Sequence, residues 1–533
     1  MKAPGPRDAL PVLRSGLVAG LLRAEAYPHP VSEPIRLVET HISWVLLTGE
    51  IAYKLKKPLR LSFLDYSTLE RRHAYCEEEV RLNRRHAPDL YLGVSTVSGS
   101  VSTPRVDSTG SALEYAVRMR QFAARDELVA LLQSGAVAAP DVAALGENVA
   151  HLHLGAAPAS PDAAYGWPEA VHRITLDNFA ELRRLPEAER WHGALQSLED
   201  RLSSLYAARG ALLRERREQG WVRECHGDLH CGNVVRWQRR LTPFDGIEFD
   251  PGLRFIDVVN DIAFLAMDLA ERGHDDLRLA ALQAWLETLG DFAGLPLLQY
   301  YETYRALVRA KVAALRALQV AADAPSRVTA IAECSRYLAW AAGRIRERAP
   351  VLVITCGLSG SGKTWLARQL REPLRVLHVR SDVERKRLAG LAPGADSRSP
   401  PDAGIYTRDY TTRTYDRLHE CATAALLGGE SIIVDAAFLR RDERQRFLAL
   451  AASVHARAAL VHCHAPPETL RQRVAARSAA RSDASEAGLD VLQRQPSWWE
   501  DFDDSERAHL IEVDTTLASP LATVLQRLRS QPA

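Results

Sequence analysis

Residues 357–364 read Gly-Leu-Ser-Gly-Ser-Gly-Lys-Thr, a glycine-rich stretch that ends in a lysine and a hydroxyl-bearing residue. An apolar, mostly β-branched run, 351–356, comes directly before it. Such a run predicts a buried strand of a parallel sheet. The residues after Thr364 have the apolar spacing of a helix. A strand, a glycine-rich loop and a helix in this order predict an α/β domain with a phosphate-binding loop, or P-loop.

The chemistry of this P-loop follows from its residue types. Glycines let backbone N–H groups turn toward phosphate oxygens, and the N-terminus of the next helix adds positive partial charge. We expect Lys363 to reach the β- and γ-phosphates of ATP and the Thr364 hydroxyl to bind Mg²⁺. A glycine-rich turn without a ligand is the structural alternative. The predicted nucleotide-binding residues are Gly357, Leu358, Ser359, Gly360, Ser361, Gly362, Lys363 and Thr364.

Two more predicted strands have an acidic residue at or just beyond their carboxyl ends. The run 431–435 ends in Asp435, which predicts a Walker B carboxylate that binds the metal. The run 375–380 is followed by Asp382. Because ligands of open α/β sheets lie beyond the carboxyl ends of the strands, we expect Asp382 to meet the acceptor molecule. A helix N-cap is the alternative role for this aspartate.

Three arginines, Arg473, Arg477 and Arg481, recur at every fourth position of a predicted helix. Like charges at this spacing repel one another, so the pattern favours a phosphate partner. A solvated arginine face is the alternative.

Residues 351–520 resemble the small P-loop kinases of the gluconate kinase, shikimate kinase, polynucleotide kinase and zeta-toxin type. The resemblance implies that Asp382 orients or deprotonates the acceptor hydroxyl. It also implies that Arg473 and Arg477 belong to a lid helix that contacts the transferred phosphoryl group.

A second motif, His-Gly-Asp-Leu-His-Cys-Gly-Asn, spans residues 226–233. Asp228 precedes Asn233 by five positions, the spacing of the protein-kinase catalytic loop. We therefore expect Asp228 to accept the proton of a hydroxyl acceptor and Asn233 to bind Mg²⁺. Asp245 follows a short strand and a turn, twelve residues after Asn233, at the spacing that suits the metal-binding aspartate of a kinase hairpin. The His-Gly-Asp opening resembles the aminoglycoside and choline phosphotransferases, and that resemblance implies a structural role for Asp261 beside the loop.

A kinase lobe also needs a lysine for the α- and β-phosphates. The segment 51–56 alternates like a strand and places Lys54 and Lys56 on one face, with Lys54 the better match. Glu79 is the first choice for its paired glutamate. No Gly-x-Gly-x-x-Gly loop precedes Lys54, so an ATP-binding but inactive lobe remains an alternative.

Cysteines and histidines cluster at 225–231, but their spacing differs from the paired-ligand patterns of zinc sites. We expect no structural zinc there, and we expect the cysteines to be small buried residues.

Composition bounds the remaining possibilities. The 533 residues are enough for three to four domain-sized units, and 47% of them are hydrophobic. The net charge of +1 argues against general nucleic-acid binding. Seven scattered cysteines fit a reducing cytoplasm, and no stretch approaches the ~20 apolar residues of a membrane span. We therefore expect a cytoplasmic protein. The two kinase-like motifs, rather than the composition, lead us to expect small hydroxyl-bearing molecules as its partners.

The motifs predict three segments: a kinase-like N-lobe at 1–125, a helix-rich C-lobe at 126–345 and a P-loop domain at 350–533. The predicted fold class is a protein-kinase-like bilobal fold followed by a parallel α/β sheet. Over nearly its full length the chain resembles bacterial fusions of an aminoglycoside-phosphotransferase-like part with an AAA family ATPase. The resemblance implies ATP binding and phosphotransfer. An ATPase switch with an inactive first lobe and a zeta-toxin-like kinase with a regulatory N-terminal part are the alternatives.

Overall fold

The computed structural model describes residues 13–61, 64–318, 320, 324–345, 349–393, 395–397, 399, 403–480, 485–517 and 520–530. The chain divides into two compact units. The first comprises Met1–Ile174 and Leu212–Asp268, and the second comprises Thr175–Ala211 and Leu269–Ala533. Parts of the predicted segment 126–345 belong to each of the two units. The domain boundaries predicted from the sequence remain a prediction.

The first unit contains a six-stranded antiparallel sheet in the order β1-β2-β3-β8-β6-β7. Its strands are β1 Arg36–Glu39, β2 Ser43–Leu47, β3 Ile51–Lys56, β6 Tyr91–Gly99, β7 Pro104–Val106 and β8 Glu114–Arg120. A small hairpin, β4 Arg60–Leu61 and β5 Leu64–Asp65, precedes helix α1, Leu69–Asn83. The Thr68 hydroxyl caps α1 by accepting the N–H of Arg71 at 3.3 Å.

Strand β3 alternates as the sequence predicts. Tyr53 and Leu55 enter the hydrophobic core on one face of the sheet. Lys54 and Lys56 point to the opposite face, where both reach Glu79 of α1. The alternation of the strand therefore carries two lysines into a buried polar centre.

The predicted catalytic loop, residues 226–233, lies between two short strands of the first unit. The elements from residue 128 onward are α2 Leu128–Gln133, α3 Ala139–Gly155, α4 Pro168–Arg183, α5 His192–Glu218, β9 Val222–Glu224, β10 Val234–Trp237, β11 Arg240–Pro243, β12 Phe255–Asp257 and α6 Val258–Glu271. Strands β10 and β11 form an antiparallel hairpin. Its turn residues, Gln238 and Arg239, have φ values of 48° and 68°, the left-handed conformation that a two-residue hairpin turn requires.

The second unit combines long helices with a parallel sheet in the order β14-β15-β13-β16-β17. Its helices before the sheet are α7 Asp275–Leu289, α8 Leu298–Leu318 and α9 Pro325–Arg344. The P-loop domain follows with β13 Val351–Cys356, α10 Lys363–Leu374, β14 Leu377–Arg380, α11 Ser381–Leu388, α12 Arg408–Leu427, β15 Ile432–Asp435, α13 Arg441–Ser453, β16 Arg457–His464, α14 Pro467–Ala480, α15 Leu489–Arg494, β17 Leu510–Asp514 and α16 Pro520–Ser530. Together with the kinase-like first unit, this sheet confirms the predicted fold class.

The parallel strands are apolar because both faces of the sheet are covered. Val353, Ile433 and Val461 of neighbouring strands are fully buried, as are Leu366 and Leu370 of α10. The carboxyl ends of the strands meet at one edge, and that edge positions the P-loop and Asp435. Among the described residues, no helix is both long enough and apolar enough to cross a membrane.

Candidate nucleotide sites

The first site is built around Lys54. Its ammonium donates to Glu79 Oε1 at 2.9 Å and also to the carboxylate of Asp245. Lys54 and Glu79 are buried, whereas the side chain of Asp245 is 39% exposed. Burial alone raises the pKa of Glu79, but the ammonium groups of Lys54 and Lys56 outweigh it and lower that pKa to about 2. The three residues predicted for phosphate and metal binding therefore lie together.

Lys56 has different neighbours. It donates to Glu79 Oε2 at 2.7 Å and to Glu248, which also accepts from the Tyr66 hydroxyl. The Lys56 side chain is completely buried. Because only Lys54 contacts Asp245, the geometry favours Lys54 as the phosphate-binding lysine. Glu248 was not predicted; its position three residues after Asp245 was the available signal.

The catalytic loop brings Asp228 and Asn233 together. The Asn233 side-chain amide donates to the Asp228 carboxylate at 2.9 Å and to its backbone carbonyl at 3.0 Å. The Asn233 carbonyl accepts the N–H of Phe244 at 2.9 Å, which places the residue before Asp245 beside the loop. Carboxylate and amide oxygens are hard ligands, so Asn233 and Asp245 fit Mg²⁺ chemically.

Asp261 holds the first residues of the loop through backbone hydrogen bonds. Its carboxylate accepts the backbone N–H groups of His226 at 3.2 Å and Gly227 at 2.9 Å, and it pairs with His153 at 3.0 Å. Together with Cys225, His153 and Asp261 form a buried group of potential metal ligands within 4.8 Å of one another. The carboxylate already serves the loop backbone, as expected for a structural aspartate. The absence of structural zinc stays a prediction.

The second site begins with the P-loop. Gly357, Gly360 and Gly362 have φ values of 134°, 82° and 90°, which side chains rarely tolerate. A Cβ at Gly357 would lie 2.2 Å from the carbonyl oxygen of Cys463. The Lys363 ammonium folds back onto the carbonyls of Gly357 and Leu358, at 2.8 Å each. Burial lowers the pKa of Lys363.

Asp435 ends β15 next to the P-loop. Its Oδ1 accepts from the Thr355 hydroxyl at 3.3 Å, and its Oδ2 lies 3.2 Å from His378 Nε2. Burial alone raises the pKa of Asp435, but the hydrogen bond and charge of His378, with the Thr364 hydroxyl, lower it to about 2. A carboxylate and a hydroxyl side by side are oxygen ligands that fit Mg²⁺. His378 was not predicted, although its strand was.

A cavity of about 920 Å³ adjoins the P-loop. Asp382 lines it, in the first turn of α11. The N-cap of α11 is Arg380, so the N-cap alternative for Asp382 was wrong. The other predicted residues on its wall are Ser359, Gly360, Gly362, Lys363, Thr364, Asp435, Arg473 and Arg477. Leu358 and Ser361 line a smaller cavity of about 270 Å³.

Both described lid arginines are anchored by the protein. Arg473 donates to Thr515 Oγ1 at 2.8 Å and to the Gly360 carbonyl at 3.3 Å. Arg477 donates to the Ala487 carbonyl at 2.6 Å. The third, Arg481, lies outside the described residues. Arg473 and Arg477 therefore do not form the purely solvated arginine face that was the alternative interpretation.

Two further residues on the cavity wall were not assigned from the sequence. Gln495 accepts the N–H of Ser359 at 2.7 Å and so orients the P-loop backbone. Burial raises the pKa of Glu443 to about 7. Neither residue belongs to a local motif, so no pattern pointed to them.

Comparisons with known proteins give one domain match and relatives in mycobacteria. A family profile described as an AAA domain matches residues 352–501. The uncharacterized proteins Rv2004c of Mycobacterium tuberculosis and Mb2027c of Mycobacterium bovis are each 30% identical over 473 residues, which cover 88% of this chain and 92% of theirs.

Solved structures with a likeness include a choline/ethanolamine kinase family protein from Mesorhizobium loti, 14% identical, with a TM-score of 0.36 over 62% of this chain and 99% of that one. A gluconokinase from Sinorhizobium meliloti is 20% identical, with a TM-score of 0.25 over 35% of this chain and 100% of that one. Since the mycobacterial proteins match most of both chains, this chain belongs to their family, and its residues 352–501 form an AAA domain.

Proposed function

We propose that the chain is an ATP-dependent phosphotransferase with two nucleotide sites, each transferring the γ-phosphoryl group of Mg-ATP to a small hydroxyl-bearing acceptor. One observation carries the proposal. A single cavity of about 920 Å³ has Lys363 and Thr364 on its wall together with Asp382, an acid that no phosphate-binding role requires.

In the C-terminal site, Lys363 binds the β- and γ-phosphates and Asp382 orients the acceptor hydroxyl. Arg473 and Arg477 reach the cavity from α14 and stabilise the charge on the transferred group. Thr364 and Asp435 would hold Mg²⁺, which would neutralise part of the phosphate charge.

In the N-terminal site, Lys54 binds the α- and β-phosphates and Glu79 holds the lysine in place. Asn233 and Asp245 are the proposed metal ligands. Asp228 accepts the acceptor proton, and the Asn233 amide fixes its carboxylate at 2.9 Å. The intact contact of Lys54 with Glu79 and Asp245 supports an active lobe over an inactive one.

The experiment is an acceptor screen on the full chain, with phosphate transfer detected by mass spectrometry. Three proteins are compared: the wild type, Lys363→Ala and Asp228→Asn. We expect one set of phosphorylated alcohols to disappear with Lys363→Ala and another with Asp228→Asn. Slow ATP hydrolysis that no alcohol accelerates, in all three proteins, would contradict the proposal and indicate a nucleotide switch.

A further inference from the structure

The edge strand of the parallel sheet is covered by a side chain from outside the P-loop domain. Among the strands that the structure describes, β14 pairs with β15 alone. On its other side, the carboxamide of Gln283 in α7 accepts the N–H of His378 at 2.8 Å and donates to the His378 carbonyl at 2.8 Å. Gln283 is 2% exposed. One side chain thus satisfies both backbone groups that a neighbouring strand would otherwise satisfy.

The side chain of the same histidine points at the proposed metal site. His378 lies opposite Ile433 in the parallel register, and Asp435 is two residues further along β15. Residues two apart on a strand share a face, so the imidazole and the carboxylate meet above the same surface of the sheet. His378 Nε2 lies 3.2 Å from Asp435 Oδ2, and both side chains are at least 96% buried, with exposures of 1% and 4%.

Asp435 is therefore held through both oxygens. Thr355 donates to Oδ1 and His378 contacts Oδ2. A carboxylate held in this way has one rotamer, and a metal ligand with a fixed rotamer binds without first losing conformational freedom.

We infer that His378 is a positioning residue for Asp435, and that Gln283 of α7 positions His378 in turn. The inference rests on the proposed Mg-nucleotide site of the P-loop domain. If the inference holds, metal binding at the P-loop depends on helix α7, which lies about 70 residues before the P-loop in the sequence.

The test measures ADP binding to the full chain by calorimetry, with Mg²⁺ and with EDTA. All proteins carry Asp245→Asn to weaken metal–nucleotide binding at the first site. We expect Gln283→Leu and His378→Leu to reduce the Mg²⁺-dependent gain in ADP affinity by about 10- to 100-fold, the usual range for residues that orient a metal ligand. ADP affinity in EDTA should stay within about twofold, because the P-loop itself is unchanged.

Two further variants separate positioning from general damage. His378→Gln keeps a donor within reach of Asp435 and should restore most of the Mg²⁺-dependent gain. Asp275→Asn is the matched control, because Asp275 lies on the same helix and pairs with Arg375 of the P-loop domain at 2.7 Å, but in an exposed position away from His378. It should behave like the parent.

If His378→Leu does not fold, Gln283→Glu carries the test against Asp275→Asn, because it keeps the acceptor for the His378 N–H but loses the donor. An unchanged Mg²⁺ effect in a folded Gln283 variant, beside a parent that binds Mg-ADP, overturns the inference and leaves the proposed function intact. Equal losses with Mg²⁺ and in EDTA also overturn it. A parent without any Mg²⁺-dependent ADP binding at the second site refutes the proposed site itself.

Discussion

Lys54 and Asp245 are 191 positions apart in the chain, yet the Lys54 ammonium donates to the Asp245 carboxylate. The contact joins a central strand of the antiparallel sheet to the residue that follows the β10–β11 hairpin. Asp245 has a φ of 63°, an uncommon conformation for a non-glycine residue, and its N–H donates to the Tyr91 hydroxyl at 3.0 Å. Backbone strain at this position is consistent with a functional aspartate.

Lys363→Ala should remove one of two bound nucleotides per chain. The expected loss is most of the ATP affinity of the second site, because the variant lacks the ammonium that we propose binds the β- and γ-phosphates. Calorimetry on the full chain should show the stoichiometry fall from two to one. Lys311→Ala, at a partly exposed lysine near Glu181, is the control and should bind two. A wild-type stoichiometry of one that vanishes with Lys363→Ala would mean that the first lobe binds no nucleotide.

Asp228→Asn should lower turnover of the N-terminal site by about 10²- to 10⁴-fold, the range for a positioned acid or base. ATP affinity should change little, because Asp228 is assigned to the acceptor and an asparagine at this position can still accept the Asn233 amide through its side-chain oxygen. Asp245→Asn should weaken both Mg-ATP binding and turnover. Both variants are measured in a Lys363→Ala background after an acceptor is found. Full acceptor phosphorylation by Asp228→Asn would exclude the kinase role of this loop.

Asp382→Asn should abolish phosphorylation of the C-terminal acceptor, with a drop in kcat of about 10²- to 10⁴-fold. Mg-ATP binding should remain, because Thr364 and Asp435 are untouched. Steady-state kinetics in an Asp228→Asn background gives the split between kcat and KM. The control is Asp416→Asn, at an exposed residue that pairs with Arg446. A change in the KM for ATP with an unchanged kcat would instead place Asp382 at the nucleotide.

Glu430→Gln should destabilise the second unit. Glu430 Oε1 accepts from Arg278 at 2.6 Å and from Arg344 at 2.5 Å, and both arginines also contact buried Glu302. Removing one member of a buried ionic cluster leaves uncompensated charge and costs about 3–5 kcal/mol. Denaturant unfolding at pH 7 measures the loss. Glu420→Gln, at an exposed glutamate of α12, should cost less than about 0.5 kcal/mol.

The same cluster predicts acid sensitivity. Burial alone raises the pKa of Glu430, but Arg278 and Arg344 lower it from 4.5 to about 2. Its pKa is therefore lower in the folded chain than in the unfolded chain, and the unfolded chain binds more protons between these values. Stability from Glu430 is present above pH ~4.5 and is lost as the pH falls toward ~2. Unfolding midpoints across this range should fall less steeply in Glu430→Gln than in the wild type; equal slopes would contradict the assignment.

Local patterns determined much of this protein from the sequence alone. The P-loop is eight contiguous residues, and its glycines adopt positive φ values for local steric reasons. The strand before it and the helix after it follow from the apolar periodicity of the adjoining segments. Asp228 and Asn233 are only five positions apart in the chain, and the Asn233 amide donates a hydrogen bond to the Asp228 carboxylate. The match of residues 352–501 to the AAA domain confirms the P-loop domain that the first motif indicated.

Tertiary structure decided what depends on distant partners. Lys54 and Lys56 are equivalent in the alternation of β3, and only the approach of Asp245 to one and of Glu248 to the other distinguishes them. The contact of Gln283 with His378 joins residues 95 positions apart, and nothing in either local segment encodes it. Such pairings arise because a buried polar group must find a partner wherever the packing brings one, and packing depends on the whole chain.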